Sequence, residues 1–286
     1  MKSVRPAAVA GLFYPEAARS LSEEIRTCLE PVRQPEPPPA KRAERGQHLK
    51  ALIVPHAGYR YSGPIAGSAY RRLAAARDVI RRVVLLGPAH RVWIRGLGVP
   101  SAAAFATPLG TVDVDVEAVS QALALPQVHR SDAAHGMEHA IEVQLPFLQA
   151  TLAAFRIVPF VVGEATSAEV AEVLDLLWGG PETIVLVSSD LSHYLPYEQA
   201  RDADRSTATA ILELSPTLEH EQACGATPIN GLLRTARWRG LQAELVDLRN
   251  SGDTAGDRSR VVGYGSFAFD EPDAMAPRTA PSSRHE

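Results

Sequence analysis

Short apolar runs alternate along this chain with longer segments in which apolar residues recur at helical spacing. Six runs have the length and the β-branched content of strands: 49–55, 81–88, 155–163, 183–189, 241–252 and 260–269. Seven segments have the period of amphipathic or buried helices: 17–32, 63–76, 116–126, 135–155, 167–179, 197–214 and 226–239. Strands that alternate with helices predict an α/β fold whose central sheet is largely parallel.

Three segments add detail to this prediction. The helix over 17–32 places Cys28 on its apolar face, which favours a small buried side chain over a reactive thiol. The helix over 135–155 contains Pro146, so we expect a kink or a break there. Residues 95–117 are rich in glycine, proline and β-formers and predict a short hairpin that covers one side of the sheet.

The chain divides into one predicted domain and two segments with little to bury. Residues 1–270 carry all the predicted strands and helices, after an irregular start over 5–15. Residues 33–48 are charged and proline-rich, which is typical of a flexible loop. Residues 271–286 are polar and predict a disordered C-terminal tail.

Composition excludes several classes of protein. The chain has 286 residues, 45% of them hydrophobic, with a net charge of -4 and only two cysteines. This acidic balance argues against nucleic acid as a partner. Its apolar runs are far shorter than the roughly 20 residues that span a bilayer. The start of the sequence has no apolar core of the kind that signal peptides carry, and two cysteines cannot form a disulfide framework, so we expect a cytoplasmic protein.

Polar side chains follow three of the predicted strands at the point where each strand ends. His56 follows the strand over 49–55, His90 follows 81–88, and Asp190 and His193 follow 183–189. Because the carboxyl ends of parallel strands meet at one edge of a sheet, we expect these side chains to share a cleft. Imidazoles there could bind metal or transfer protons, and a single histidine would more often be a hydrogen-bonding partner. Asp190 could orient an imidazole, while His193 could move protons.

Two patterns in the sequence would indicate a hydrolase. Ser188 or Ser189 could act as a nucleophile with the neighbouring aspartate and histidine, but the G-x-S-x-G elbow is absent. Residues 135–139 formally match H-x-x-E-H, a pattern in which two histidines on one helix bind zinc. Gly136 lies inside that match and disfavours a formed helix, so a polar loop-to-helix boundary lining the cleft is the favoured interpretation.

Cys224 lies in a turn-like stretch, ACGATPING, directly before the predicted helix 226–239. An inert buried thiol is one interpretation. A position near a helix N-terminus favours the thiolate, which would suit a nucleophile or a soft metal ligand. Sequence spacing alone does not decide between these roles.

Seven motifs together resemble one known family. They are RPAAVAGLFYP (5–15), PHAGYRYSG (55–63), GPAH (87–90), EHAIEVQLPFL (138–148), SSDLSHY (188–194), CGATPI (224–229) and VGYGSF (262–267). In this order they resemble the Memo family, whose bacterial members are often labelled AmmeMemoRadiSam system protein B. The resemblance extends from Arg5 to about Phe269.

This resemblance implies a three-layer α/β/α fold with a mixed, mostly parallel central sheet, like that of the class III extradiol ring-cleaving dioxygenases. Those enzymes hold non-haem Fe(II) with two histidines and a glutamate. The Memo family instead implies a metal site made of His56, His90 and Cys224. Asp190 and His193 would then be the catalytic groups. The resemblance also implies pocket-lining roles for Glu138, His139 and Tyr59.

The function implied is that of a metal-binding redox protein or oxidoreductase. A cysteine in place of the glutamate softens the site and suits iron or copper, with zinc as a further candidate. The family resemblance implies action together with an AMMECR1-domain protein and a radical SAM enzyme, on an unknown small molecule or peptide. Two alternatives stay open: a non-catalytic binding module that uses the same cleft, and a metal-dependent hydrolase with Glu138 as its general base.

Overall fold

The computed structural model of the protein describes residues 3–30 and 47–272. Ten α-helices are formed within this part of the chain: α1 (Ala18–Cys28), α2 (Tyr59–Tyr70), α3 (Val116–Ala122), α4 (Asp132–Gly136), α5 (His139–Glu142), α6 (Leu145–Thr151), α7 (Ser167–Leu177), α8 (Tyr197–Leu212), α9 (Ala226–Arg239) and α10 (Ser251–Thr254). A 3-10 helix, Arg71–Ala76, continues α2. Among the described residues, no helix combines the length and apolar character needed to cross a membrane.

Twelve strands pair into one sheet. They are β1 (Val4–Arg5), β2 (Gln47–Val54), β3 (Arg82–Pro88), β4 (Leu97–Val99), β5 (Ala104–Thr107), β6 (Gly110–Val114), β7 (Val128–Arg130), β8 (Arg156–Val162), β9 (Thr183–Ser188), β10 (His193–Leu195), β11 (Gln242–Asn250) and β12 (Val261–Pro272). Their main order is β1-β5-β6-β8-β3-β9-β2-β12-β10, with β4, β7 and β11 pairing at its sides. The predicted α/β class with a mixed, mostly parallel sheet is confirmed.

The centre of the sheet consists of the parallel strands β6, β8, β3, β9 and β2. The side chains of β3, β8 and β9 are buried almost throughout, which explains why the sequence shows continuous apolar runs here and no alternation. The antiparallel pairs lie toward the edges, for example between β2 and β12 and between β5 and β6.

The connections place helices on both faces of this sheet. The crossover from β2 to β3 through α2 runs in one direction along the strand order, and the crossover from β8 to β9 through α7 runs in the other. Because such crossovers are right-handed, α2 and α7 cover opposite faces. Helices α1 and α6 pack with α2 in one layer, and α9 packs on α7 in the other. The result is the three-layer arrangement that the family resemblance implies.

The prediction of one long helix over 135–155 is wrong, whereas the break expected at Pro146 is found directly before it, where α6 begins at Leu145. The segment forms the three short helices α4, α5 and α6. Glu138 adopts an extended backbone conformation and its carboxylate accepts a hydrogen bond from the N–H of Ala140, so it ends one helix and caps the next. Pro146 is the second residue of α6 and lies in the first turn of that helix, where proline is tolerated.

Several predicted boundaries also shift. Helix α2 begins at Tyr59 and not at residue 63, and it accommodates Pro64 in its first two turns. Strand β2 begins at Gln47, so the last two residues of the predicted loop belong to the sheet. Strand β12 extends to Pro272, beyond the start of the predicted tail. The remaining parts of those two predictions, 33–46 and 273–286, lie outside the described residues.

The irregular start of the chain is fixed by one buried carboxylate. Glu142 is fully buried and forms an ion pair with Arg5, at 2.5 Å. It also accepts hydrogen bonds from the backbone N–H groups of Ala8 and Val9 and from the hydroxyl of Tyr14. This anchoring holds the segment 5–15 against α5, beside the carboxyl ends of the central strands.

Candidate metal centre

The carboxyl ends of β2, β9 and β3 are neighbours in the sheet and bring the predicted residues together. His56 and His90 follow the first and last of these strands, and their ring centroids lie 5.1 Å apart with the planes nearly perpendicular. The sulfur of Cys224 lies 3.2 Å from Nε2 of His56. One ligand atom from each of these three residues lies within 4.8 Å of the others. The structure therefore assembles two imidazoles and a thiol at one point.

His56 is held from two directions. Its backbone N–H donates to Oδ1 of Asp190 at 2.7 Å, and that of Ala57 donates to the same oxygen at 3.3 Å. Its ring nitrogen Nδ1 lies 2.9 Å from the hydroxyl of Ser188. Burial, followed by the nearby His90 and His139, lowers the pKa of His56 well below its usual value. The imidazole is therefore neutral, as metal ligation requires.

Asp190 differs from the expectation that it orients an imidazole ring. Its carboxylate binds backbone N–H groups instead, and thereby fixes the turn that carries His56. Burial raises the pKa of Asp190, while the hydrogen bond from the backbone of His56 opposes that rise. Its direct hydrogen bonds are those of a residue that shapes the loop.

His90 is oriented by Glu138. The backbone N–H of His90 donates to one carboxylate oxygen at 2.7 Å, and Nδ1 lies 2.9 Å from the other. Because a carboxylate only accepts hydrogen bonds, Nδ1 carries the proton and Nε2 keeps its lone pair. Burial of Glu138 acts to raise its pKa, but the adjoining His139 and His90 outweigh it and hold that pKa far below the usual value.

A second group of potential ligands overlaps the first. His90, Glu138 and His139 also place one ligand atom each within 4.8 Å of the others. The oxygens of Glu138 are already engaged by His90 and by the N–H of Ala140. Such carboxylate–histidine contacts typically orient a metal-binding imidazole. We therefore assign this group to the support of His90.

His139 lies over the centre and contacts the N-terminal segment. Its ring stacks on His90 with centroids 4.6 Å apart and meets the His56 ring edge-on at 5.2 Å. On its other side it packs against Phe13, at 4.5 Å. Its Nδ1 lies 3.2 Å from Glu138, without the alignment of a hydrogen bond. The sequence did not single out Phe13, which is part of the wall of this site.

Cys224 is positioned by the start of α9. The N–H of Gly225 donates to the hydroxyl of Ser189 at 2.8 Å, and a Cβ on Gly225 would lie only 2.7 Å from Ser189 Cβ. This close approach brings the thiol to the strand end. Burial and the neighbouring Asp190 raise the pKa of the Cys224 thiol to about 12. Without a cation the residue is therefore a neutral thiol, and a bound metal ion would favour the thiolate.

His193 lies at the same edge of the sheet but is not among the three close ligand atoms. It begins β10 and is half-buried. The backbone N–H of Ser192, the residue before His193, donates to Oδ1 of Asp204 at 3.0 Å. The charge of a protonated His193 would lower the pKa of both His56 and Asp190, so the three side chains share one electrostatic environment.

Tyr59 differs from the expectation that it lines the pocket. It is 3% exposed, its hydroxyl donates to the carbonyl of Val143 at 2.6 Å, and its ring packs against Phe147 and Tyr14. As the first residue of α2, it points into the helical layer. Its contacts are those of a packing residue.

The two hydrolase patterns do not assemble. His135 is buried, and its Nε2 lies 2.9 Å from the carbonyl of Gly98, so it is engaged away from His139. Ser188 is fully buried and donates to the carbonyl of Ala140, and Ser189 donates to the carbonyl of Asp190. Neither serine is placed as a nucleophile would be.

Comparison with known proteins identifies similar sequences over nearly the whole chain. A model of the family described as Memo-like protein matches residues 5–268. A MEMO1 family protein from Aquifex aeolicus is 35% identical over 93% of this chain and 99% of its own length. One from Ignicoccus hospitalis is 37% identical over 94% of this chain and 99% of its own.

A solved structure shares the fold. The crystal structure of an uncharacterized Escherichia coli K12 protein, JW3007, superposes with a TM-score of 0.51 at 15% identity. The match covers 77% of this chain and 99% of that one. Identity at this level speaks for the architecture alone, whereas the family model and the relatives cover nearly the whole sequence. The chain belongs to the Memo family.

Proposed function

We propose that this protein binds one transition-metal ion through His56, His90 and Cys224. The observation that carries the proposal is the convergence of three ligand atoms within 4.8 Å at the ends of adjacent strands. Both imidazoles have their Nδ1 engaged by neighbours, which leaves each Nε2 free to bind. A buried neutral imidazole, that of His56, beside a second imidazole and a thiol fits a metal ion better than it fits a hydrophobic core.

The ligand chemistry supports iron or copper, with zinc as the alternative. Imidazole and thiolate are ligands for these ions, while Mg²⁺ and Ca²⁺ prefer oxygen ligands. The carboxylates of Asp190 and Glu138, which contact His56 and His90, already accept backbone hydrogen bonds. Iron or copper bound here would supply one-electron redox chemistry, and we propose that the protein is an oxidoreductase.

The surrounding residues have distinct roles in this proposal. His56 and His90 bind, Glu138 orients His90, and Asp190 holds the loop of His56. His193 is half-buried, unlike His56, and belongs to the same electrostatic environment, so we assign proton transfer to it. The substrate would be a small molecule or a peptide that binds in the cleft at these strand ends.

The partners rest on family resemblance, and the location rests on the low cysteine content. We propose action together with an AMMECR1-domain protein and a radical SAM enzyme, in the cytoplasm. Co-purification of the three proteins, with the chain tagged, would test the physical association. Failure to detect a complex at micromolar concentrations would leave the metal site intact and remove this part of the proposal.

The hydrolase alternative depends on Glu138 as a general base, and its contacts oppose that role. A general base needs a free lone pair and a pKa near the working pH. Both oxygens of Glu138 accept hydrogen bonds, and its pKa lies far below the usual value. Glu138 is therefore a stable anion that positions other groups.

Metal titration of the metal-free protein tests the proposal. Fe(II), Cu(I) and Zn(II) are added in competition with a chromophoric chelator, and the loaded forms are then cycled with a mild oxidant and reductant. We expect saturation at one ion per chain and reversible oxidation of the iron or copper form. Tight binding of zinc alone, with turnover of esters or amides, would favour hydrolysis. Binding of a peptide with no metal requirement would favour a non-catalytic module.

A further inference from the structure

A chain of buried side chains runs from the helical layer to His56. The hydroxyl of Tyr70 lies 2.8 Å from Oε1 of Gln144, whose Nε2 lies 2.8 Å from the hydroxyl of Ser188. That hydroxyl lies 2.9 Å from Nδ1 of His56. All four side chains are between 0% and 2% exposed. These four side chains are shielded from solvent. Each of their hydrogen bonds must therefore join a donor to an acceptor within the group or in the adjoining backbone.

The contacts of Gln144 fix which way its side-chain amide faces. Its Nε2 also lies 3.0 Å from the carbonyl of Pro55. That carbonyl can only accept, so the amide NH₂ must face it. The same NH₂ group then donates its second hydrogen to Ser188. The amide oxygen is left to accept the hydroxyl hydrogen of Tyr70.

The hydroxyl of Ser188 has a single hydrogen to donate. Its hydroxyl oxygen lies 2.7 Å from the carbonyl oxygen of Ala140. Two oxygens this close require a hydrogen between them, and only Ser188 can supply it. Its remaining lone pairs face Gln144, which donates, and His56. Ser188 therefore has no hydrogen left for Nδ1 of His56, and Nδ1 must be the donor.

We infer that Ser188, set by Gln144 and Tyr70, fixes His56 as the tautomer with hydrogen on Nδ1 and a lone pair on Nε2. Ser188 is thus a positioning residue for a metal ligand. The contact on the other side of the ring supports this tautomer. Nε2 lies 3.2 Å from the sulfur of Cys224, whose thiol can donate a hydrogen bond to its lone pair. The consequence for metal affinity rests on the proposed function, whereas the tautomer itself does not.

Nitrogen NMR of the metal-free protein tests the inference directly. Long-range ¹H–¹⁵N correlation distinguishes protonated from unprotonated ring nitrogens, and His56 is assigned through the spectrum of His56→Gln. We expect a protonated Nδ1 and an unprotonated Nε2. A hydrogen on Nε2 in the wild-type protein would overturn the inference.

Ser188→Ala, compared with Ser266→Ala, tests the role of the hydroxyl. Ser266 is a matched control, because it is also fully buried and donates to a backbone carbonyl, that of Ile65. Relative to this control we expect a shift toward the other tautomer and a loss of metal affinity of about 10–100-fold. Unchanged tautomer and affinity would contradict the positioning role. If Ser188→Ala does not fold, the wild-type spectrum still decides the tautomer.

The outcomes separate this inference from the proposed function. A wild-type His56 protonated on Nδ1 in a protein that binds no metal would support the tautomer and refute the metal site. A metal-binding protein with hydrogen on Nε2 in its metal-free form would do the reverse.

Discussion

Nε2 of His56 lies 3.2 Å from the sulfur of Cys224, a residue 168 positions further along the chain. The imidazole is fixed at the end of a central strand, and the thiol is fixed at the start of a helix from a different layer. Two rigid elements therefore hold the pair at a distance suited to a shared ion.

Gly225→Ala is expected to displace Cys224. A Cβ at this position would lie 2.7 Å from Ser189 Cβ and 3.1 Å from the carbonyl oxygen of Ser188. We expect a loss of stability of about 1–3 kcal/mol from this overpacking, together with weaker metal binding. Gly136→Ala is the matched control, because a Cβ there meets no atom within 4 Å. Urea unfolding and metal competition measure the two effects, and equal results for both variants would refute the close-approach argument.

Glu138→Gln is expected to weaken metal binding by about 10–100-fold while the fold is retained. The amide keeps one acceptor oxygen, but its NH₂ group must face either the backbone N–H of His90 or its Nδ1. Chelator competition measures the change. Glu169→Gln, at the exposed start of α7, is the control and should bind metal as the wild type does. Wild-type affinity in Glu138→Gln would show that His90 needs no carboxylate.

His193→Gln is expected to keep one metal ion per chain. His193 is not among the three close ligand atoms, and its assigned role is proton transfer. Metal content after purification measures this, with His56→Ala as the comparison that should lose the ion. Loss of metal in His193→Gln would place this residue among the ligands instead.

Glu142→Ala is expected to destabilise the protein by about 3–5 kcal/mol, because Arg5 would become an uncompensated buried charge. The N–H groups of Ala8 and Val9 would also lose their acceptor. Glu23→Ala, which breaks an exposed pair with Arg19, should cost less than about 1 kcal/mol. Denaturant unfolding measures both, and similar values would contradict the anchoring of the N-terminal segment.

His135 is expected to make stability depend on pH between about 4 and 6.5. Burial lowers its pKa from 6.5 to about 4. The charged groups that act on it are Arg5, Asp132 and Glu138. In this window the unfolded chain binds the proton and the folded protein does not, so stability falls as the pH falls.

The predicted loss is up to about 3 kcal/mol from this histidine. His135→Gln can still donate to the carbonyl of Gly98 and should show a shallower pH dependence of the free energy of unfolding. A residual slope of the same sign is expected, because the pKa of His56 is also lowered by burial. An unchanged slope in His135→Gln would contradict this assignment.

The sequence predicted the strand ends well because apolar runs that stop at a polar residue are a local signal. The positions of His56, His90 and Asp190 after β2, β3 and β9 follow from that signal and from the parallel sheet. The proximity of Cys224 to His56 has no local signal, and only the family resemblance implied it. The packing of α9 on the sheet determines it.

The support of the site was equally invisible in the sequence. Gln144 lies between α5 and α6 and Ser188 ends β9, so the two meet only through the tertiary fold. The short helix that ends just before Glu138 was not predicted, for a related reason. Glu138 has an extended backbone and accepts hydrogen bonds from His90 and Ala140. A periodic apolar pattern carries no information about such contacts.

Metal analysis of anaerobically purified protein tests the central claim most directly. Wild type and Cys28→Ala, which removes the other cysteine, should each carry close to one iron or copper ion per chain. Cys224→Ala should carry almost none. Equal metal content in Cys224→Ala and Cys28→Ala would contradict the assignment of His56, His90 and Cys224 as the metal site.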